Sequence, residues 1–112
     1  MINNKALACH LGLEVFNEGT EKEVECGYCG DLLSWVMGKA ESGSAWMTVM
    51  NNVNVAAVAL LRDVACIILV ESVKPDENLL ARARSEEIAL YGSSMDSYTL
   101  AVKINDLMKA SD

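Results

Sequence analysis

The sequence predicts an α/β fold: one small domain with a central, mostly parallel sheet of about four to five strands flanked by helices. The stretch from Ala45 to Asp76 carries this prediction, because it reads in succession as a strand, an Asn-rich turn, an apolar helix, a second strand and a helix start. Two β-rich runs joined by about a dozen helical residues form a β-α-β unit, whose strands lie parallel. A chain of 112 residues has room for one core, so we expect a single domain over residues 1–112.

The N-terminal half is predicted to hold two helices and two strands. The first helix runs over Asn4–Leu11, and Gly12 ends it in the manner of a C-terminal cap. Strands are predicted over Leu13–Phe16 and Val24–Tyr28, with a solvated acidic turn between them. Asp31 is expected to cap the next helix. The core-facing stripe of that helix consists of Leu32, Leu33, Val36 and Met37.

The C-terminal half continues with alternating helices and strands. The middle helix, Val53–Leu61, is apolar on every side, so we expect it to be buried beneath a second layer or at a subunit interface. A strand begins at Cys66, and Pro75 is expected at the first position of the helix that follows. Ile88–Tyr91 is the last predicted strand. The chain then closes with a helix whose inner stripe includes Leu100, Ala101, Ile104, Leu107 and Met108.

The order and spacing of these elements resemble the DRTGG domain, over about residues 13–107. This small α/β domain occurs as a regulatory insert in certain inorganic pyrophosphatases and in long phosphotransacetylases, and it is similar to the N-terminal domain of HPr kinase/phosphorylase. The residues that carry the resemblance are Gly30-Asp31-Leu32-Leu33-Ser34, Trp46-Met47-Thr48, Asn54-Val55 and Val73-Lys74-Pro75-Asp76.

The chain departs from this family at one place. Where relatives tend to have Thr-Gly-Gly after the buried strand, it has Val70-Glu71-Ser72. Glycine lets the backbone approach a ligand closely, so a contact made there by relatives is not carried over. The resemblance implies a non-catalytic regulatory or sensing role and self-association. It implies no kinase activity, because the active site of HPr kinase lies in another domain.

Composition excludes several functional classes. A net charge of −7 and a pI of about 4.6 disfavour nucleic acid binding, which clustered Lys and Arg normally provide. No leader and no membrane-spanning apolar run is visible, so a cytoplasmic protein is expected. The single histidine, His10, has no recognisable catalytic partner, so we expect no enzyme. Hydrophobic residues make up 52% of the chain, which favours a homodimer or docking on a larger protein.

One edge of the sheet is the predicted ligand site. Turns that follow parallel strands meet at the same edge, where helix amino-termini and short polar side chains can select a small anion or nucleotide. The same polar residues are alternatively plain helix caps or turn residues. The candidate contacts are Gly30, Asp31, Asn51, Asn52, Asn54, Ser72, Lys74, Ser93 and Ser94. No cofactor is required by the sequence, although a nucleotide or a metal ion would suit these residue types.

Cys26 and Cys29 form a CxxC pair that supports an alternative. In a metal knuckle this spacing folds both sulfurs toward one point, but a tetrahedral site needs four ligands and only one pair is present. At a helix start the same pair would suit redox chemistry, and two plain thiols are the third interpretation. Trp35 and Trp46 are expected in the core or at an interface.

The sequence therefore favours a non-enzymatic, ligand-sensing regulatory domain that acts through self-association or a partner. A metal-binding or redox module using Cys26 and Cys29 is one alternative, and a structural assembly subunit is another.

Overall fold

A computed structural model of the chain describes residues 1–111. The elements are β1 (Ile2–Asn3), α1 (Asn4–His10), β2 (Glu14–Asn17), β3 (Glu23–Val24), β4 (Cys26–Cys29), α2 (Leu33–Lys39), β5 (Ser44–Thr48), α3 (Asn54–Arg62), β6 (Cys66–Leu69), α4 (Glu77–Ser85), β7 (Leu90–Gly92) and α5 (Ser97–Ala110). From β4 onward, strands and helices alternate along the chain.

The main sheet has five strands in the order β2-β7-β6-β5-β4. Strands β4, β5, β6 and β7 run parallel and lie side by side in chain order, whereas β2 pairs antiparallel with β7 at one edge. The predicted α/β class with a mostly parallel sheet is therefore confirmed. Strands β1 and β3 form a separate two-residue antiparallel pair.

Helices cover both faces of the sheet. One buried cluster joins residues of α2, α3 and α4 to Trp46, Ile67 and Leu90 of the sheet. The other joins α1 and α5 to Met47 and Tyr91, which alternate with the first set along the strands. Every residue of β5 and β6 is buried, as expected for central parallel strands covered on both faces.

The β-α-β unit on which the fold prediction depends is confirmed. Strands β5 and β6 are parallel, with Ala45 opposite Cys66, and α3 connects them. The expectation that the middle helix is buried on every side is only partly right. Val55 and Ala59 are buried, but Leu61, at the carboxyl end of α3, is 70% exposed.

Two local predictions are wrong for identifiable reasons. The predicted strand over Val24–Tyr28 is two strands, because the backbone N–H of Glu25 between them donates to the carbonyl of Gly43. Pro75 lies outside α4, whose amino-terminal cap is Asp76. Trp46 is fully buried, which confirms a core position, whereas Trp35 is 59% exposed, so its expected place at an interface stays a prediction.

Among residues 1–111, no helix has the length and apolar character needed to cross a membrane.

Candidate ligand-binding edge of the sheet

The loops that follow the four parallel strands lie at one edge of the sheet because those strands point the same way. These loops comprise residues 30–32 after β4, 49–53 after β5, 70–76 after β6 and 93–96 after β7. All nine candidate ligand contacts lie in these loops or, for Asn54, in the first position of α3. The topology thus brings them to one edge, but it does not bring all of them to one cleft.

A crevice opens between the ends of β6 and β7. The chain leaves β6 for α4, which packs on one face of the sheet, and leaves β7 for α5, which packs on the other face. The connections that follow β6 and β7 therefore lead to opposite faces of the sheet, and such a switch point is where open α/β sheets commonly bind ligands. A cleft of about 210 Å³ lies there. Its lining includes Glu14, Phe16, Ser72, Lys74, Gly92, Ser93 and Ser94.

Backbone hydrogen bonds join the two loops that border this cleft. The N–H of Glu71 donates to the carbonyl of Met95, and the N–H of Ser72 donates to the carbonyl of Ser93, each at 2.9 Å. The Oγ of Ser93 accepts from the N–H of Met95 at 3.1 Å. The floor of the cleft is thus held by main-chain contacts, and the hydroxyl groups of Ser72 and Ser94 are side-chain donors along its wall.

Glu71 and Ser72 both adopt left-handed backbone, with φ of 55° and 62°. The loop therefore has a conformation that suits glycine, although neither residue is a glycine.

Lys74 is the cation of the cleft, and it is held by two partners. Its Nζ lies 2.7 Å from Oε1 of Glu14 and 5.5 Å from the centroid of the Phe16 ring. The Lys74 and Glu14 side chains are 64% and 54% exposed, so water screens this ion pair strongly. The pair is weak enough for a ligand anion to replace the Glu14 carboxylate.

Phe16 is positioned by a β-bulge. In the pairing of β2 with β7, Val15 lies opposite Tyr91 and Asn17 opposite Leu90, so Phe16 is the extra residue. A bulge redirects a side chain, and here the ring lies over Gly92. A Cβ at Gly92 would approach the Phe16 ring to 2.6 Å, so the glycine makes room for the aromatic wall of the cleft.

The sequence did not indicate Glu14 and Phe16 as site residues. Both belong to β2, whose pairing with β7 brings together two ends of the chain that no local pattern connects. The bulge itself depends on that pairing. A strand signal over residues 13–16 was visible, but nothing in it indicated which strand would be its neighbour.

Two candidates in the loop after β4 serve structural roles. The Asp31 carboxylate accepts from Oγ1 of Thr48 and from the N–H of Val49, both at 2.9 Å. It therefore does not cap α2, whose cap position is Leu32 without a side-chain bond, and the predicted cap is wrong. Gly30 accepts from the indole N–H of Trp46 at 2.9 Å. These groups join the loop after β4 to strand β5.

The Asn-rich turn after β5 is also occupied internally. Nδ2 of Asn51 donates to the carbonyl of Lys74 at 2.8 Å, which connects this turn to the loop after β6. Oδ1 of Asn52 accepts from the N–H of Asn54 at 3.0 Å, at the start of α3. Of the nine candidates, four line the cleft. These are Ser72, Lys74, Ser93 and Ser94.

Cys26 and Cys29 do not converge on one point. Both lie in strand β4, where residues three apart project to opposite faces of the sheet. Accordingly, Sγ of Cys26 lies 3.3 Å from Oγ of Ser44, whereas Sγ of Cys29 lies 3.8 Å from Sδ of Met47. The knuckle geometry expected from the CxxC spacing is wrong because the segment is extended. Residues 1–111 contain no group of three or more His, Cys, Asp or Glu side chains arranged to hold a metal ion.

The environment of Cys29 also disfavours redox chemistry. Burial and then the charge of Asp31 raise the pKa of Cys29, which suppresses the thiolate that nucleophilic cysteines need. Burial raises the pKa of Cys66 to about 12, as expected of a core thiol.

No protein-family model and no curated protein matches the chain. Among solved structures, it is similar to the crystal structure of the CBS and DRTGG domains of the regulatory region of Clostridium perfringens pyrophosphatase, complexed with the activator diadenosine tetraphosphate. The TM-score is 0.67 at 13% identity, and the match covers 88% of this chain and 44% of that chain. This likeness shows the fold: the chain is an α/β domain of the CBS/DRTGG-like kind.

Proposed function

We propose that the chain is a non-catalytic regulatory domain of the DRTGG type, related in fold to the N-terminal domain of HPr kinase/phosphorylase, that senses a small anion or nucleotide. The observation that carries the proposal is the cleft at the switch point between β6 and β7, which combines one cation with several hydroxyl groups. The similarity to a regulatory region crystallised with a dinucleotide activator supports it.

The phosphate of the ligand replaces the Glu14 carboxylate on Lys74. The Lys74–Glu14 pair is exposed and worth only about 0–1 kcal/mol, whereas a phosphate would add charge-assisted hydrogen bonds from Lys74 and hydroxyl donors from Ser72 and Ser94. When Lys74 turns toward the phosphate, it leaves the face of Phe16. An adenine base can then stack on that ring.

Binding would act by changing which arrangement of the loops is preferred. The carbonyl of Lys74 accepts a hydrogen bond from Asn51, and Pro75 follows Lys74 in the chain. Movement of Lys74 therefore affects both the turn before α3 and the start of α4. A ligand shifts such an equilibrium only by its difference in affinity for the two arrangements. The signal passes to a second copy in a homodimer or to a larger protein partner.

The test measures binding of AMP, ATP, diadenosine tetraphosphate and inorganic phosphate by calorimetry and by the shift in melting temperature. We expect at least one nucleotide to bind. Lys74→Ala should weaken that binding about tenfold or more, since it removes a charged hydrogen-bond donor. Glu14→Gln should strengthen it, because Lys74 then has no competing carboxylate. Lys103→Ala, an exposed lysine of α5 outside the cleft lining, is the control.

Failure has two distinct forms. Binding that is unchanged in Lys74→Ala and Glu14→Gln places the nucleotide elsewhere on the molecule. No binding of any of the four compounds favours a structural assembly subunit instead.

A further inference from the structure

A second cleft lies on the opposite face of the sheet, between α1 and the β2–β7 edge. Its volume is about 370 Å³. It is lined by Lys5, Ala8, Cys9, Gly12, Leu13, Val15, Glu18 and Tyr91. Tyr91 and Leu13 belong to the core cluster on the α1 side, whereas Phe16 and Gly92 belong to the other face. The two clefts are therefore distinct, although strand β2 and Gly12 border both of them.

The hydroxyl of Tyr91 is the unexplained group of this cleft. The residue is 1% exposed, and within the described residues its Oη is buried without a hydrogen-bond partner. Buried polar groups in folded proteins nearly always have a partner, so an orphaned hydroxyl beside a cleft needs an explanation. Burial, with Cys66 and then Glu18 adding to it, raises the pKa of the Tyr91 phenol, so the group is a neutral hydroxyl at physiological pH.

Two side chains of opposite charge line the same cleft as Tyr91. Lys5 and Glu18 both line the cleft, both are exposed, and neither forms an ion pair among residues 1–111. Apolar side chains from α1 and β2 supply the rest of the lining, chiefly Ala8, Leu13 and Val15. The cleft thus presents one cation, one anion, one neutral hydroxyl and an apolar wall.

We propose that this cleft binds a free α-amino acid with an apolar side chain. The ammonium group of the ligand donates to the Glu18 carboxylate and to Oη of Tyr91, which supplies the missing partner of that hydroxyl. The ligand carboxylate accepts from Lys5, and the apolar side chain packs on Leu13 and Val15. A zwitterion matches both unpaired charges, whereas a simple anion or cation would match only one.

The test uses L-leucine as the probe, with binding followed by chemical shifts of backbone amides in α1 and β2. N-acetyl-L-leucine, which lacks the ammonium, and L-leucinamide, which lacks the carboxylate, are the matched ligand controls. We expect L-leucine to bind and the affinity of each derivative to be lower by about tenfold or more, because each derivative loses one charge-assisted contact.

Variants then assign the site. Glu18→Gln and Lys5→Met should each weaken L-leucine binding, and so should Tyr91→Phe. Tyr91→Phe should not lower the unfolding midpoint of the ligand-free protein, because it removes a hydroxyl that has no partner. Lys74→Ala should leave L-leucine binding unchanged, which separates this site from the nucleotide cleft. The proposal is overturned if L-leucine does not bind, if N-acetyl-L-leucine binds equally well, or if Tyr91→Phe binds as the wild type does.

Discussion

Glu71 and Ser72 show how single residues set the shape of the cleft beside the loops after β6 and β7. Each holds left-handed backbone, which costs a non-glycine residue roughly 1 kcal/mol. The conformation persists because the N–H groups of both residues are bonded to the loop after β7. The turn is therefore imposed by its tertiary contacts and not by the preference of its own residues.

Glycine at these two positions should stabilise the domain. We expect Glu71→Gly and Ser72→Gly each to raise the free energy of unfolding by roughly 0.5–1 kcal/mol, measured by urea denaturation. Glycine also enlarges the entropy of the unfolded chain, which limits the gain. Glu77→Gly, in the first turn of α4, is the control and should destabilise. A loss of stability in both loop variants would mean that the side chains of Glu71 and Ser72 contribute more than relief of backbone strain.

At the scale of the elements, helix starts show where sequence patterns succeed and where they fail. Helices α4 and α5 begin at aspartate caps, Asp76 and Asp96, whose carboxylates accept from Leu79 and Thr99 at 2.7 Å. Asp31 precedes α2 in a similar pattern, yet its carboxylate bonds to β5 instead. A cap and a cross-strand contact use the same side-chain oxygen, so local sequence cannot distinguish them.

The cap of α5 predicts a dependence of stability on pH. The backbone hydrogen bond from Thr99 lowers the pKa of the Asp96 carboxyl below its usual range. A lowered pKa stabilises the fold at pH values above the unfolded pKa of about 3.9, and that contribution is lost as the pH falls through the folded pKa. Asp96→Asn keeps a capping oxygen that does not titrate. We therefore expect its unfolding free energy to decline less between about pH 4 and pH 2 than that of the wild type.

Urea unfolding at a series of pH values measures this difference. Asp106→Asn removes a carboxylate from the same helix outside its cap and is the control for net charge. An Asp96→Asn profile that runs parallel to the wild type throughout the acid range would show that the cap does not depend on the carboxylate charge.

For the whole molecule, the parallel order of β4 to β7 was predictable and the position of β2 was not. The β-α-β signal over residues 45–76 is local, because one short helix connects two neighbouring strands. The partner of β2 depends on residues at the other end of the chain, so the strand at the cleft could be predicted without its place in the sheet. Whether Trp35 lies in the core or at an interface was equally open, since a tryptophan side chain is suited to both places.

The proposed homodimer makes a prediction for this exposed residue. Trp35 is 59% exposed with Lys39 Nζ at 5.3 Å from its ring centroid, and Leu32, one turn earlier, is 61% exposed. If a second copy covers them, tryptophan emission should shift to shorter wavelength as protein concentration rises, because Trp46 is already buried. Sedimentation equilibrium should show dimers in the wild type and mostly monomers in Trp35→Arg.

Trp35→Ser is a neutral companion variant that separates lost apolar contact from added charge. A wild-type mass that stays monomeric at all concentrations would remove the homodimer and leave a larger protein as the partner.

The antiparallel pairing of β2 with β7 has a consequence for how the protein acquires its function during synthesis. Glu14 is made before its strand neighbour Gly92, and strands β3 to β6 are all made between the two. Until β7 is made, β2 has no strand to pair with, so the wall that β2 contributes to both clefts is not in place. Growing chains should therefore be unable to respond to ligand, and prematurely terminated chains that stop before β7 should be unable to respond at all, however well their earlier strands have assembled.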